Sequence, residues 1–189
     1  MKYGITPVQL ADGRYFVKVT GDDDKRVFVQ LNNTKLLSDL SDDEVTLQVD
    51  EKYHGQITDI DASTVEAAKL NSAAWFGKEL PARTLDAAAA KSLVDSNMDV
   101  GKITNKDQVV LVKVYDHTKT EISDSVLSGT VCDILLECTG VWFLKKTYGP
   151  VWRIIQVRLK APPKKPKVSQ YMFQDSVSDE DEDEEEEYF

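Results

Sequence analysis

The sequence predicts a mainly β protein: a barrel-like body, a helical segment inserted between strands, and a disordered acidic C-terminal tail. Three observations carry this. Six or so stretches between residues 14 and 159 alternate in period two or are rich in β-branched and aromatic residues. One alanine-rich interval interrupts them. The last fifteen residues hold ten acids and no base, a density of like charge that no core absorbs. At 189 residues and 41% hydrophobic, the chain suits a single core with appendages.

Taken in order, residues 14–20 and 26–31 read as strands, with Gly21-Asp22-Asp23-Asp24-Lys25 as a hairpin turn between them. Residues 44–49 alternate and form a third strand. Ser63-Thr64-Val65-Glu66 has capping-box spacing, so a helix is expected from Ser63 towards Pro81. Thr84 can cap a second helix through Leu85, Ala87 to Ala90 and Leu93, ending near Ser96-Asn97. Strands resume at 108–115, at 130–138 running into 141–146, and at 151–159 after a turn at Thr147-Tyr148-Gly149-Pro150. Thr139-Gly140 is a candidate bulge. Closing five or six strands into a barrel leaves no edge to protect; a sandwich or a larger β-rich fold is the alternative. The organisation is therefore a body over 1–160, a basic proline-rich linker over 161–174 and an acidic tail over 175–189.

Several function classes fall away. No apolar run approaches the roughly 20 residues of a membrane span, and the start has no apolar signal core, so a soluble intracellular protein is expected. Cys132 and Cys138, six apart in a strand, stand about 20 Å apart on one face, too far for a disulfide. Neither they nor His54 and His117 have metal-ligand spacing. No phosphate loop, dinucleotide fingerprint or nucleophile elbow is present; Gly101-Lys102-Ile103-Thr104 lacks the upstream glycine of a phosphate loop. The reading is a non-catalytic protein without a cofactor or metal.

The formal charge of -10 conceals three blocks. Residues 1–174 are neutral overall, and within them 138–174 hold eight bases and no acid. The tail follows at once: Asp175, then Asp179, Glu180, Asp181, Glu182, Asp183, Glu184, Glu185, Glu186 and Glu187, then Tyr188 and Phe189. A tail serving only solubility has no use for two aromatics, so these residues are expected to bind a partner.

The basic block is also aromatic. Trp142, Lys145, Lys146, Tyr148, Trp152, Arg153, Arg158 and Lys160 are the candidate DNA-binding residues. Single-stranded nucleic acid stacks its bases on aromatic rings while cations track its phosphates. Strict alternation puts Val151, Arg153, Ile155, Val157 and Leu159 on one face of the last strand and Trp152, Ile154, Gln156, Arg158 and Lys160 on the other. The alternative is that Trp142 and Trp152 are core residues, because tryptophan is highly buried on average, and it weighs less for Trp152 than for Trp142.

In this combination the chain resembles the phage-type replicative single-stranded-DNA-binding proteins, whose acidic tails end in Phe. Residues 147–157, Thr-Tyr-Gly-Pro-Val-Trp-Arg-Ile-Ile-Gln-Val, resemble the closing hairpin of relatives in large eukaryotic DNA viruses. The likeness spans about residues 100–189, and the first hundred carry none of it. It implies an OB-fold, a tail that competes with DNA for the groove, and a terminal aromatic that contacts replication proteins such as a polymerase, helicase or primase. Implied partners are thus single-stranded DNA, replication proteins and a possible second copy, with no membrane. If the source is viral, the expected location is a host-cell replication compartment. The competing class is an acidic-tailed histone-chaperone-like binder of basic proteins, against which the acid-free block 138–174 argues.

Overall fold

A computed structural model describes residues 1–10, 13–90, 93, 100–104 and 112–161. In chain order the elements are β1 (Lys2–Tyr3), β2 (Val8–Gln9), β3 (Tyr15–Thr20), β4 (Val27–Lys35), β5 (Glu44–Gln48), α1 (His54–Leu70), α2 (Ser72–Phe76), α3 (Ala82–Ala88), β6 (Val100–Thr104), β7 (Lys113–Tyr115), β8 (Glu121–Ile122), β9 (Val131–Phe143) and β10 (Tyr148–Leu159). The fold is mainly β and OB-like, with the helices inserted between β5 and β6.

β9 is the spine. One edge pairs antiparallel with β10 along almost its whole length. The other edge is shared end to end: β3 covers Phe143 to Gly140, and β4 covers Cys138 to Val131. β7 joins β10 in parallel, and β8 follows β7. The β5–β6 ribbon is tied to the end of β4 by the Leu36–Leu47 bridge and lies against β10, covering the core. The hydrogen-bonded path among the described residues is open, and this ribbon bridges it.

The shared edge corrects the expected hairpin. β3 and β4 run in the same direction along β9, so Gly21 to Lys25 is an excursion between two halves of one edge. It closes through the Gly21 N–H on the Lys25 carbonyl at 2.7 Å. Two further expectations shift. Helix α1 begins at His54, after a turn that the Asp50 carboxylate caps by accepting from the Lys52 N–H. Ser63 therefore lies mid-helix, and the Thr64 hydroxyl donates back to the Ile60 carbonyl at 2.8 Å. Ile57, Ile60, Thr64, Ala67 and Ala68 form the buried stripe that holds α1 to the sheet. Residues 101–104 form part of β6, paired with β5. The second helix, expected from Thr84 to near Ser96-Asn97, instead starts at Ala82 after Pro81 and stops at Ala88, where Ala89 turns extended and bridges to Tyr148. The start of the 108–115 strand and the linker and tail beyond Ala161 lie outside the described residues.

Alternating residues of β9 fill the core: Cys132, Ile134, Leu136, Cys138, Val141 and Phe143. They meet Val17, Val29 and Leu31 on one side and Trp152, Ile154 and Val157 on the other. Both cysteines are free thiols, and burial pushes them up, Cys132 to about 11 and Cys138 to about 12. At the tip of the β9–β10 hairpin, Trp75 and Phe76 of α2 meet Phe143 edge-on at 5.3 and 5.6 Å, and Tyr148 stacks on Phe143 at 6.2 Å. The Trp75 indole donates to the Gly4 carbonyl, which fastens the N-terminal strands to the same cluster.

Candidate nucleic-acid interface

The outward side of β9 is unusual for a sheet. Between buried apolar neighbours it presents Asp133, Leu135 and Glu137, and the two acids are only 5% and 6% exposed. A buried carboxylate is costly unless it is paired, and both are paired twice over. Glu137 takes a two-pronged grip from Arg26, Nε on Oε1 at 2.5 Å and Nη2 on Oε2 at 2.6 Å. Arg153 of β10 adds Nη2 on Oε2 at 3.1 Å. Asp133 accepts from Arg158 through Nε at 3.0 Å and through Nη2, and from Lys160. It also accepts the Asn33 N–H at 3.0 Å. Asn33 reaches it because β4 bulges there, with Asn33 in the left-handed region at φ 55°.

The electrostatics follow directly. Arg26 hydrogen bonds lower the Glu137 carboxyl more than burial raises it, and Arg153 adds to the lowering. At Asp133 burial pushes up most, but Lys160, Arg158 and the Asn33 N–H together hold the carboxyl below its usual range. Each cluster joins one carboxylate to two cations, so each carries a net positive charge with its cations fixed in place.

Aromatic rings flank the clusters. Phe28, 43% exposed, lies under the Arg26 guanidinium at 4.9 Å. Half-buried Trp142 shares a cross-strand row with Phe16 and Gly149. At the other end a recess of about 280 Å³ is lined by Gln30, Tyr115, Lys119, Asp133, Leu135, Gln156 and Arg158. Its wall is the β7–β8 turn, where the Asp116 carboxylate accepts from Thr118 and Thr120 and holds the turn in shape. The volume sits near the lower bound of ligand pockets, about 300 Å³. From the recess to the row of Trp142, the face follows β9 for roughly 30 Å.

The residues singled out from sequence divide. Arg153, Arg158 and Lys160 lie on this face, Trp142 lies at its end, and Lys145 and Lys146 are exposed at the hairpin tip. Tyr148 and Trp152 do not offer their rings to solvent. Tyr148 is fully buried, its hydroxyl donating to the Leu85 carbonyl at 3.1 Å and raised to about 12 by burial. Trp152 is 7% exposed, inside the core.

Two bulges explain the misread phase. Thr139 is the extra residue on β9, where a bulge was expected, and Ile155 is the extra residue on β10. The second resets the alternation, so Trp152 and Ile154 face inward with Val157, while Arg153 and Arg158 share the outside.

Sequence reasoning missed Arg26, Phe28, Tyr115, Lys119, Asp133 and Glu137. One signal was available: two acids four apart inside 132–138, an otherwise apolar strand. Among the described residues, no group of three or more His, Cys, Asp or Glu side chains is placed to hold a metal ion, and no helix is long and apolar enough to cross a membrane.

Comparison with solved structures finds two forms of the single-stranded DNA-binding protein from bacteriophage Enc34. The C-terminal truncation is 11% identical with a TM-score of 0.44, over 83% of this chain and 94% of that one. The complex with ssDNA is 14% identical with a TM-score of 0.41, over 82% and 93%. Comparison with curated protein sequences finds no match. The profile of a family described only as being of unknown function, DUF5871, matches residues 32–175, a span that takes in β5, the helices and the whole β9–β10 hairpin. By that match the chain belongs to the DUF5871 family.

Proposed function

We propose that the protein binds single-stranded DNA without catalysis, along the outward face of β9 and its neighbours. The observation that carries this is the pair of cation clusters: Arg26 and Arg153 on Glu137, Arg158 and Lys160 on Asp133, with Phe28, Tyr115 and Trp142 beside them. Fixed cations track phosphates, and exposed or half-exposed rings stack bases, each worth about 1–3 kcal/mol. A duplex keeps its base faces stacked on one another and has no use for such rings. No helix among the described residues is basic enough to enter a major groove.

In the same reading the acids of 175–189 imitate a phosphate backbone and compete for this face, and Tyr188 and Phe189 anchor replication partners. The support is the charge layout, in which an acid-free segment joins the face directly to a run of nine acids. Replication or recombination is the setting that such a protein serves.

The test is a titration of fluorescent oligo(dT) and of a duplex of equal length across salt concentrations. The single strand should bind tighter, with a log–log salt slope near -3 for about four phosphate contacts. Equal affinity for the duplex, or a slope near zero, would refute the assignment.

A further inference from the structure

We infer that Asp133 and Glu137 are positioning residues for DNA binding: two negative charges whose removal from a cationic face weakens its hold on a polyanion. The inference rests on the single-stranded-DNA reading and goes beyond it. Simple charge arithmetic predicts the opposite sign, and that makes it decidable.

The geometry carries the argument. The acids stand at i and i+4 on the central strand, and each reaches cations on a neighbouring strand. Arg26 and Arg158 are about half exposed on their side chains and would otherwise sample many rotamers. Both meet the carboxylate with their Nε and Nη2 atoms. A guanidinium has five donors in a rigid fork, so this grip leaves the Nη1 edge uncommitted and fixes its direction. Arg153, bonded through Nη2, keeps a buried Nε that makes no hydrogen bond among the described residues. Two guanidiniums, those of Arg26 and Arg158, are thus held with donors to spare, and Arg153, its Nε buried, adds a third fixed charge. Cations ordered before the DNA arrives do not pay the ordering cost on binding.

Stability alone is a poor explanation of the arrangement. Buried ion pairs are often replaced by apolar residues at no loss, and the neighbouring Leu135 shows that an apolar side chain is accommodated on this side of β9.

The experiment compares Asp133→Asn, Glu137→Gln, Arg26→Lys and Arg158→Lys with the unaltered full-length chain, by titration of fluorescent oligo(dT) at two salt concentrations and by thermal melting. Each acid substitution should weaken binding by roughly three- to tenfold, although it makes the face more positive. The lysine variants keep the charge and lose the fork, so they should weaken binding to a similar degree. Combining Arg26→Lys with Glu137→Gln should cost little more than either alone, because both break one unit. NMR of the arginine Nε–H groups supplies a readout that a purely structural role would not move. In Glu137→Gln the Arg26 signal should shift towards that of a solvent-exposed arginine while core methyl signals hold.

Unchanged or tighter binding by the acid variants, with the unaltered chain binding, would overturn the inference alone. If the unaltered chain binds no single strand, the underlying reading falls and the inference with it. Should an acid variant fail to fold, the lysine variants decide: unchanged affinity in both overturns the proposal.

Discussion

Burial rather than residue type decides which side chains of the β9–β10 hairpin can meet a ligand. Trp152 and Tyr148 resemble stacking residues in composition, yet both fill the core. Trp152→Ala should therefore lower stability by about 3–5 kcal/mol in chemical denaturation, as emptying a large aromatic site does. Phe28→Ala and Trp142→Ala should instead cost about 1–3 kcal/mol of oligo(dT) affinity each and leave the melting temperature nearly unchanged. The buried acids predict a pH response. Asp133 and Glu137 ionise below their usual range in the folded protein, so the unfolded chain binds more protons as pH falls past about 4. The stability they contribute is present above that range and is lost as pH drops through the depressed folded values. Melting curves from pH 7 to pH 3 should fall steeply at the acid end, and more shallowly for Asp133→Asn and Glu137→Gln. Arg153, Arg158 and Lys160 were legible because an acid-free block stands out in the sequence, whereas Arg26 lies far outside it and was not. Their carboxylate partners were not, because they lie five residues and one residue upstream of that block.

At the level of elements, the longer strands were readable and their phase was not, while β6 and the two-residue strands β1, β2 and β8 were not read at all. The runs at 15–20, 27–35 and 44–48 announced themselves through alternation and β-branched residues. The bulge at Ile155 left no mark in the sequence, since an extra isoleucine in an apolar strand looks like any other. The helix start was misplaced for a related reason: Asp50 with Lys52 caps as well as a Ser-Glu box, and the apolar stripe from Ile57 onward decides between them. Gly140 marks a junction of elements. A Cβ there would stand 2.2 Å from the Phe16 ring and 2.3 Å from the Val17 carbonyl oxygen, and the backbone atom cannot move aside cheaply. Gly140→Ala should force β3 away from β9 and cost about 2 kcal/mol or more in urea denaturation. Amide exchange should show the loss at Phe16 to Lys18 before it shows in β4.

For the whole molecule, the division into a body and two charged appendages is an expectation that rests on charge counting alone, whereas the strand order had no sequence signature. Fifteen residues extend to about 50 Å at most, enough for the acidic run to lie along a face of roughly 30 Å. Deleting 175–189 should tighten oligo(dT) binding at low salt, and the gain should fade as ionic strength rises and screening shortens. A truncated chain that binds no better at low salt would rule out competition. The shared edge of β9 also has a consequence for how the protein is made. Tyr15 pairs with Phe143 and Val27 with Cys138, so β3 and β4 wait more than a hundred residues of synthesis for their partner. At about 5–20 residues per second that wait lasts roughly 6–25 s, during which two apolar strand edges are open to other chains. A chain that stops before Val131 can pair β1 and β2 with β3, and β7 with β8, but leaves β3 and β4 without the strand that closes their apolar edges.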